Sequence, residues 1–112
     1  VNQLSGDGTD RDGYQYSFSG DRYPAPILNF DLRKFFPAEA KRAQIREKRV
    51  LVRIQVEADG TLRSARIVSP PAGFGFDEAA MKVVNMARFS PGYVRGRPVK
   101  MVHDLPIRFY LE

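Results

Sequence analysis

The chain has 112 residues, a net charge of +5 and no cysteine. That composition fits one domain, or one small domain with a tail, and it excludes disulfides, thiolate metal sites and thiol nucleophiles. A chain this short buries too modest a core for a large internal active site, and no run approaches the ~20 apolar residues that span a bilayer.

The charge is uneven. Residues 1–36 hold four basic and five acidic residues, and residues 37–112 hold fourteen and eight. The basic part suits anionic partners such as nucleic acid, anionic lipid, an acidic peptide or a cell-wall polymer, although simple solubility explains the same charge. Nothing resembles a signal peptide and the first residue is Val1, so a targeting segment is expected upstream.

Residues 1–26 are rich in Gly, Asp and Ser, with Pro24 and Pro26 at their end, which is the composition of a linker. Tyr14, Tyr16 and Phe18 alternate as in a short strand, but turn residues flank them. Residues 27–36 are more apolar and suit an extended arm, with Leu32, Arg33, Lys34 and Phe35 as its contact residues. The division expected is therefore a linker and arm over 1–35 and a folded domain over 36–112.

A first, short helix is predicted from Pro37 to about 44–46. Proline suits a first helical position, where its missing N–H has no intrahelical partner, and Glu39 in the first turn suits the helix dipole. Val50, Val52, Ile54 and Val56 alternate with Arg49, Arg53, Gln55 and Glu57, the pattern of a half-buried antiparallel strand. Asp59-Gly60 predicts a hairpin turn. A second strand is expected over 61–68, with a bulge because Leu62 is out of phase with Ala65 and Ile67.

Phe76, Ala80, Val83, Val84 and Ala87 form one helical stripe, with Asp77 as the predicted N-cap and Ser90-Pro91-Gly92 as the stop. Residues 99–111 then alternate throughout. Val99, Met101, His103, Leu105, Ile107, Phe109 and Leu111 share one face, and thirteen such residues would span about 43 Å. The fold expected is α+β, a three-stranded antiparallel sheet with two helices on one face, in the order α-β-β-α-β.

No catalytic constellation accompanies these elements. His103 is the only histidine, and it has no His, Cys or carboxylate cluster spaced for metal binding, so its role is read as structural. Asp10, Asp12 and Gly13 resemble part of a calcium loop, but Gly8 stands at the first ligand position and Ser19 at the closing one. Gly73-Phe74-Gly75 lacks the Lys-Ser/Thr of a phosphate loop. Ser5, Ser17, Ser64 and Ser90 have no nucleophile motif around them. No cofactor or metal is implied.

Arg49, Arg53, Arg66 and Arg108 fall on one sheet face with Tyr110, a conceivable nucleic-acid platform that lacks the aromatic RNP1 signature. Pro106 cannot donate to a ladder, which places the last strand at the sheet edge or leaves its Pro106 side unpaired. A long open edge either aggregates or docks another chain.

Taken in order, Phe36-Pro37-Ala38-Glu39-Ala40, the strand ending in Ala58-Asp59-Gly60, Ser69, Phe76-Asp77-Glu78-Ala79-Ala80, Arg88-Phe89-Ser90-Pro91 and Gly96-Arg97-Pro98-Val99 resemble the TonB C-terminal domain family. The set covers about residues 36–112. It departs from the family where Gln44 and Lys48 stand in place of glycines, Ala87 in place of a common tryptophan, and Pro70-Pro71 in place of small polar residues.

The resemblance implies a non-enzymatic periplasmic module, tethered to the inner membrane by an upstream helix and driven by a proton-motive-force motor. It implies that the module grips a short peptide, the Ton box, of an outer-membrane receptor by strand addition. The residues expected to take part are Val102, His103, Asp104, Leu105, Ile107, Arg108, Phe109 and Tyr110 of the last strand, with the arm residues beside them. An adapter of another envelope machine, for motility or secretion, is the alternative, with a basic nucleic-acid-binding domain as the third reading.

Overall fold

A computed structural model describes residues 8–111. The first seven residues of the expected linker, Ser5 included, lie outside them. The strands are β1 (Gln15–Tyr16), β2 (Ala25–Ile27), β3 (Glu47–Val56), β4 (Leu62–Ile67), β5 (Arg88–Ser90), β6 (Gly92–Val94), β7 (Arg97–Val99) and β8 (Met101–Tyr110). The helices are α1 (Ala38–Arg42) and α2 (Phe76–Met86), and Ser17–Ser19 and Leu32–Phe35 form 3₁₀ turns.

The α+β class and the two helices match the sequence reading, but the three-stranded sheet needs correction. The main sheet has four strands in the order β1-β8-β3-β4, and β2-β5 and β6-β7 form two further two-stranded ribbons. The extra strands are two or three residues long. That is below the four-residue run from which a period of two can be read.

β3 owes its central place to its alternation. Val50, Val52, Ile54 and Val56 are fully buried, and β3 pairs antiparallel with β8 along its whole length, from Glu47↔Tyr110 to Val56↔Met101. On its other side it pairs with β4. The expected bulge is there: Gln55 faces Ser64 while Val56 faces Leu62, leaving Arg63 as the extra residue. The Asp59-Gly60 turn also forms. The Asp59 carboxylate accepts from Thr61 N–H at 2.9 Å, and Gly60 adopts φ +92, which glycine reaches without a Cβ clash.

α2 lies on one face of the sheet. Phe76, Ala80, Val83 and Val84 are buried with Leu105, Ile107 and Phe109 of β8. The rings of Phe36, Phe76 and Phe109 pack in series, with centroids 5.5 and 5.7 Å apart. Asp77, expected as the N-cap, is instead the second residue of the helix: Gly75, at φ +83, occupies the N-cap position, and Asp77 accepts from Ala72 N–H at 2.9 Å, tying down the preceding loop. α1 is shorter than expected and Pro37 precedes it as the N-cap. β8 has ten residues rather than thirteen, because Val99 pairs with Gly92 in the β6-β7 ribbon.

The opposite face of the sheet is covered at one end by residues 10–16. Tyr14 and Tyr16 bury Val102 in a second, smaller core. Asp10 ties this segment together. One of its carboxylate oxygens accepts from Asp12 N–H and Tyr14 N–H, and the other accepts from the Gln55 amide, each at 2.9 Å.

Candidate functional site: the open edge of the last strand

The direction of the β8 backbone follows from its neighbour. Leu51 N–H donates to Ser69 Oγ at 3.1 Å and Leu51 C=O accepts from Val68 N–H at 3.0 Å, so both Leu51 groups point toward β4. Leu51 faces Pro106 across the β3–β8 ladder. In an antiparallel pair such a residue exchanges no hydrogen bond with the one opposite, so Pro106 points its backbone away from β3. The proline nitrogen therefore interrupts nothing, as the sequence reading required.

By the same alternation the backbones of Val102, Asp104, Arg108 and Tyr110 also face outward. On that side β1 covers only the first two residues of β8, through Gln15↔Met101 and Tyr16↔Val102 in parallel. β8 is thus an inner strand at its start and an edge thereafter. Among the described residues no strand pairs with that side beyond Val102. The N–H groups of Asp104, Arg108 and Tyr110 and the C=O groups of Asp104, Pro106 and Arg108 are turned to the open edge.

The side chains along this stretch divide by face. Leu105, Ile107 and Phe109 are buried in the main core, and Val102 is buried under Tyr14 and Tyr16. Asp104 receives Arg53 in a two-pronged ion pair of 2.7 and 3.0 Å. Arg108 pairs with Glu47 at 2.8 Å, and its guanidinium lies 5.6 Å from the Tyr110 ring centre. Only Pro106, Arg108 and Tyr110 of the strand are exposed.

These ion pairs follow from the register between the strands. The register sets Arg53 opposite Arg66 and Arg49 opposite Arg108, like charges that oppose pairing. Asp104 and Glu47 each neutralise one member.

His103 is half-buried. Its Nδ1 lies 2.9 Å from Ser17 Oγ, and its ring stacks on Tyr23 at 4.4 Å. Burial pushes its pKa below the usual histidine value, against a smaller upward pull from Asp104.

The arm residues sit at the other end of the strand. Asp31 caps the 3₁₀ turn by accepting from Arg33 N–H and pairs with the Arg33 guanidinium at 3.0 Å. Leu32 and Phe35 pack against the main core, with Phe30 against Phe35 at 5.2 Å and Lys82 above the Phe35 ring. Leu32, Arg33 and Phe36 line a crevice with Arg108, Phe109 and Tyr110, and Lys34 lies in the same turn. The arm therefore flanks β8 without forming a ladder with it.

What the sequence reading missed is Ser17 and Tyr23 against His103, and Tyr14 and Tyr16 over Val102 with Phe18 stacked on Tyr16. The Tyr14–Tyr16–Phe18 alternation was a signal, but a two-residue parallel pairing with a strand about 85 positions away leaves no periodic trace.

Among the described residues no helix is long and apolar enough to cross a membrane, and no three His, Asp or Glu side chains gather as a metal site. The comparison with curated proteins gives no match. The family model described as the C-terminal of the Gram-negative bacterial TonB protein matches residues 33–111, taking in the arm turn from Arg33 on, both helices, β3 to β7 and β8 in full. The chain belongs to the TonB C-terminal domain family, a family of non-enzymatic protein-interaction domains of envelope energy transduction that work in the periplasm and contact outer-membrane proteins.

Proposed function

We propose that this chain grips an extended peptide of an outer-membrane protein by adding it as a strand to β8, and transmits to it energy drawn from the proton-motive force. The observation that carries the reading is the run of outward backbone groups from Asp104 to Tyr110 with no strand beside it. Main-chain hydrogen bonds then give affinity and alternate side chains give selectivity. Arg108 and Tyr110, exposed beside this edge, are the side chains placed to read the peptide. The core side chains Leu105, Ile107 and Phe109 hold the strand straight rather than touch the partner.

The force enters from an inner-membrane motor through a segment upstream of Val1. A pull along β8 is resisted by its ten-residue ladder with β3, which loads in shear.

The test is amide chemical-shift mapping with a peptide from the N-terminal segment of an outer-membrane receptor. The expected result is perturbation concentrated at Asp104, Arg108 and Tyr110. Perturbation confined to α2, sparing residues 102–110, would rule out strand addition.

A further inference from the structure

One segment of this chain already docks on the edge in question. β1 runs parallel to β8, with Gln15 N–H donating to Lys100 C=O at 3.0 Å, and it stops at Val102. Its anchors lie elsewhere. Tyr14 is fully buried, its hydroxyl donates to Glu57 at 2.5 Å, and Arg63 and Lys100 lie 5.7 and 5.0 Å from its ring centre. Asp10 and Asp12 both hold the Gln55 amide at 2.9 Å. The segment is thus pinned to β3, to β4 and to the residue before β8, independently of whatever lies along the edge.

After Tyr16 the chain leaves the edge through the Ser17–Ser19 turn. Two exposed aromatic rings are left where the open stretch begins. Phe18, 63% exposed, stacks on Tyr16 at 5.2 Å. Tyr23, 57% exposed, stacks on His103 at 4.4 Å. Because Val102 and His103 point to opposite faces of the strand, the two rings flank the edge on both sides.

We infer that β1 is a fixed stop for the docked partner. It closes the edge at Val102, so the partner pairs over about seven residues, or roughly 23 Å of extended chain. The partner carries an apolar or aromatic side chain at the end, which meets Phe18 or Tyr23 according to the face it points to. This inference rests on strand addition at β8.

The probes are capped peptides of alternating threonine and valine, seven and ten residues long. A single phenylalanine is placed at the first, middle or last position. Titration and amide exchange are followed on the whole chain. The seven-residue probe slows exchange at Asp104, Arg108 and Tyr110, and the ten-residue probe binds with the same affinity. Phenylalanine at one terminus tightens binding by about five-fold, in line with an aromatic contact. That gain disappears in one of the variants Phe18→Ser and Tyr23→Ser, the one that removes the ring on the face of that phenylalanine, and stays in the other.

Tyr14→Ala combined with Gln15→Pro removes the buried anchor and the donor to Lys100 together. In it the ten-residue probe gains about ten-fold over the seven-residue one, as two further backbone hydrogen bonds would give. The wild-type comparison of the two lengths stands even if this variant does not fold. A ten-residue probe that binds wild type about ten-fold tighter, or a phenylalanine gain equal at all three positions, overturns the stop while leaving strand addition in place. Absence of any protection at Asp104, Arg108 and Tyr110 overturns both.

Discussion

Gln44 carries a backbone conformation that its side chain does not favour. It sits two residues beyond α1 at φ +62. Its N–H bonds to Lys41 C=O, and Ile45 N–H bonds to Ala40 C=O, the pair of contacts that closes a helix on a left-handed residue. Gln44→Gly is expected to stabilise the domain by about 1 kcal/mol in denaturant melts, because glycine adopts this region without a Cβ penalty. His103 makes a different prediction. Its folded pKa is depressed by burial, so below about pH 6.5 the unfolded chain binds the proton more readily. Stability should fall as the pH drops from about 6.5 toward the folded pKa and level off below it. Melting temperatures measured across that window should lose this slope in His103→Gln.

The direction of β8 can be tested with proline. At position 108 the N–H faces outward, so Arg108→Pro leaves the β3 ladder intact and costs less than about 1.5 kcal/mol, while it removes a donor from the edge and weakens peptide binding. At position 107 the N–H faces β3, opposite Val50. Ile107→Pro therefore breaks the ladder and costs about 3 kcal/mol or more. Equal costs at the two positions in denaturant melts would show that the alternation has been assigned backward. In α2 and β3 the expected changes are those of a packed interior. Val84→Ala and Ile54→Ala each empty a site that is 1% and 0% exposed, at about 2–4 kcal/mol from lost burial and the cavity left behind. Costs under about 0.5 kcal/mol are those of surface changes and would overturn this packing.

At the scale of the molecule, two cores lie on opposite faces of one sheet. The larger is built by α2, β3 and β8. The smaller depends on residues 10–16, whose composition is that of a linker. Tyr14→Ala should cost about 3–5 kcal/mol if that second core is part of the folding unit, and Tyr14→Phe about 1 kcal/mol for the lost hydrogen bond to Glu57. A linker tyrosine would cost less than about 0.5 kcal/mol in either variant. The same arrangement makes β8 serve twice. Its core face holds the domain together, while its outward backbone is left for another chain.

What the sequence determined by itself was whatever repeats over short distances. The alternation of Val50 to Val56, the stripe from Phe76 to Val84, the Asp59-Gly60 turn and the out-of-phase Leu62 each encode local geometry, and each appears in the structure. Pro106 marked the open side because a missing N–H is a local fact whatever surrounds it. The tertiary structure decided the rest. Pairing of Gln15-Tyr16 with Met101-Val102 is a contact between distant segments, and two residues are too few to show a period. The stacking of Tyr23 on His103 and the ion pairs of Arg53 and Arg108 likewise depend on the register between strands, which no single segment contains. The edge was therefore legible in the chain, whereas its length, now ending at Val102, was set by the fold.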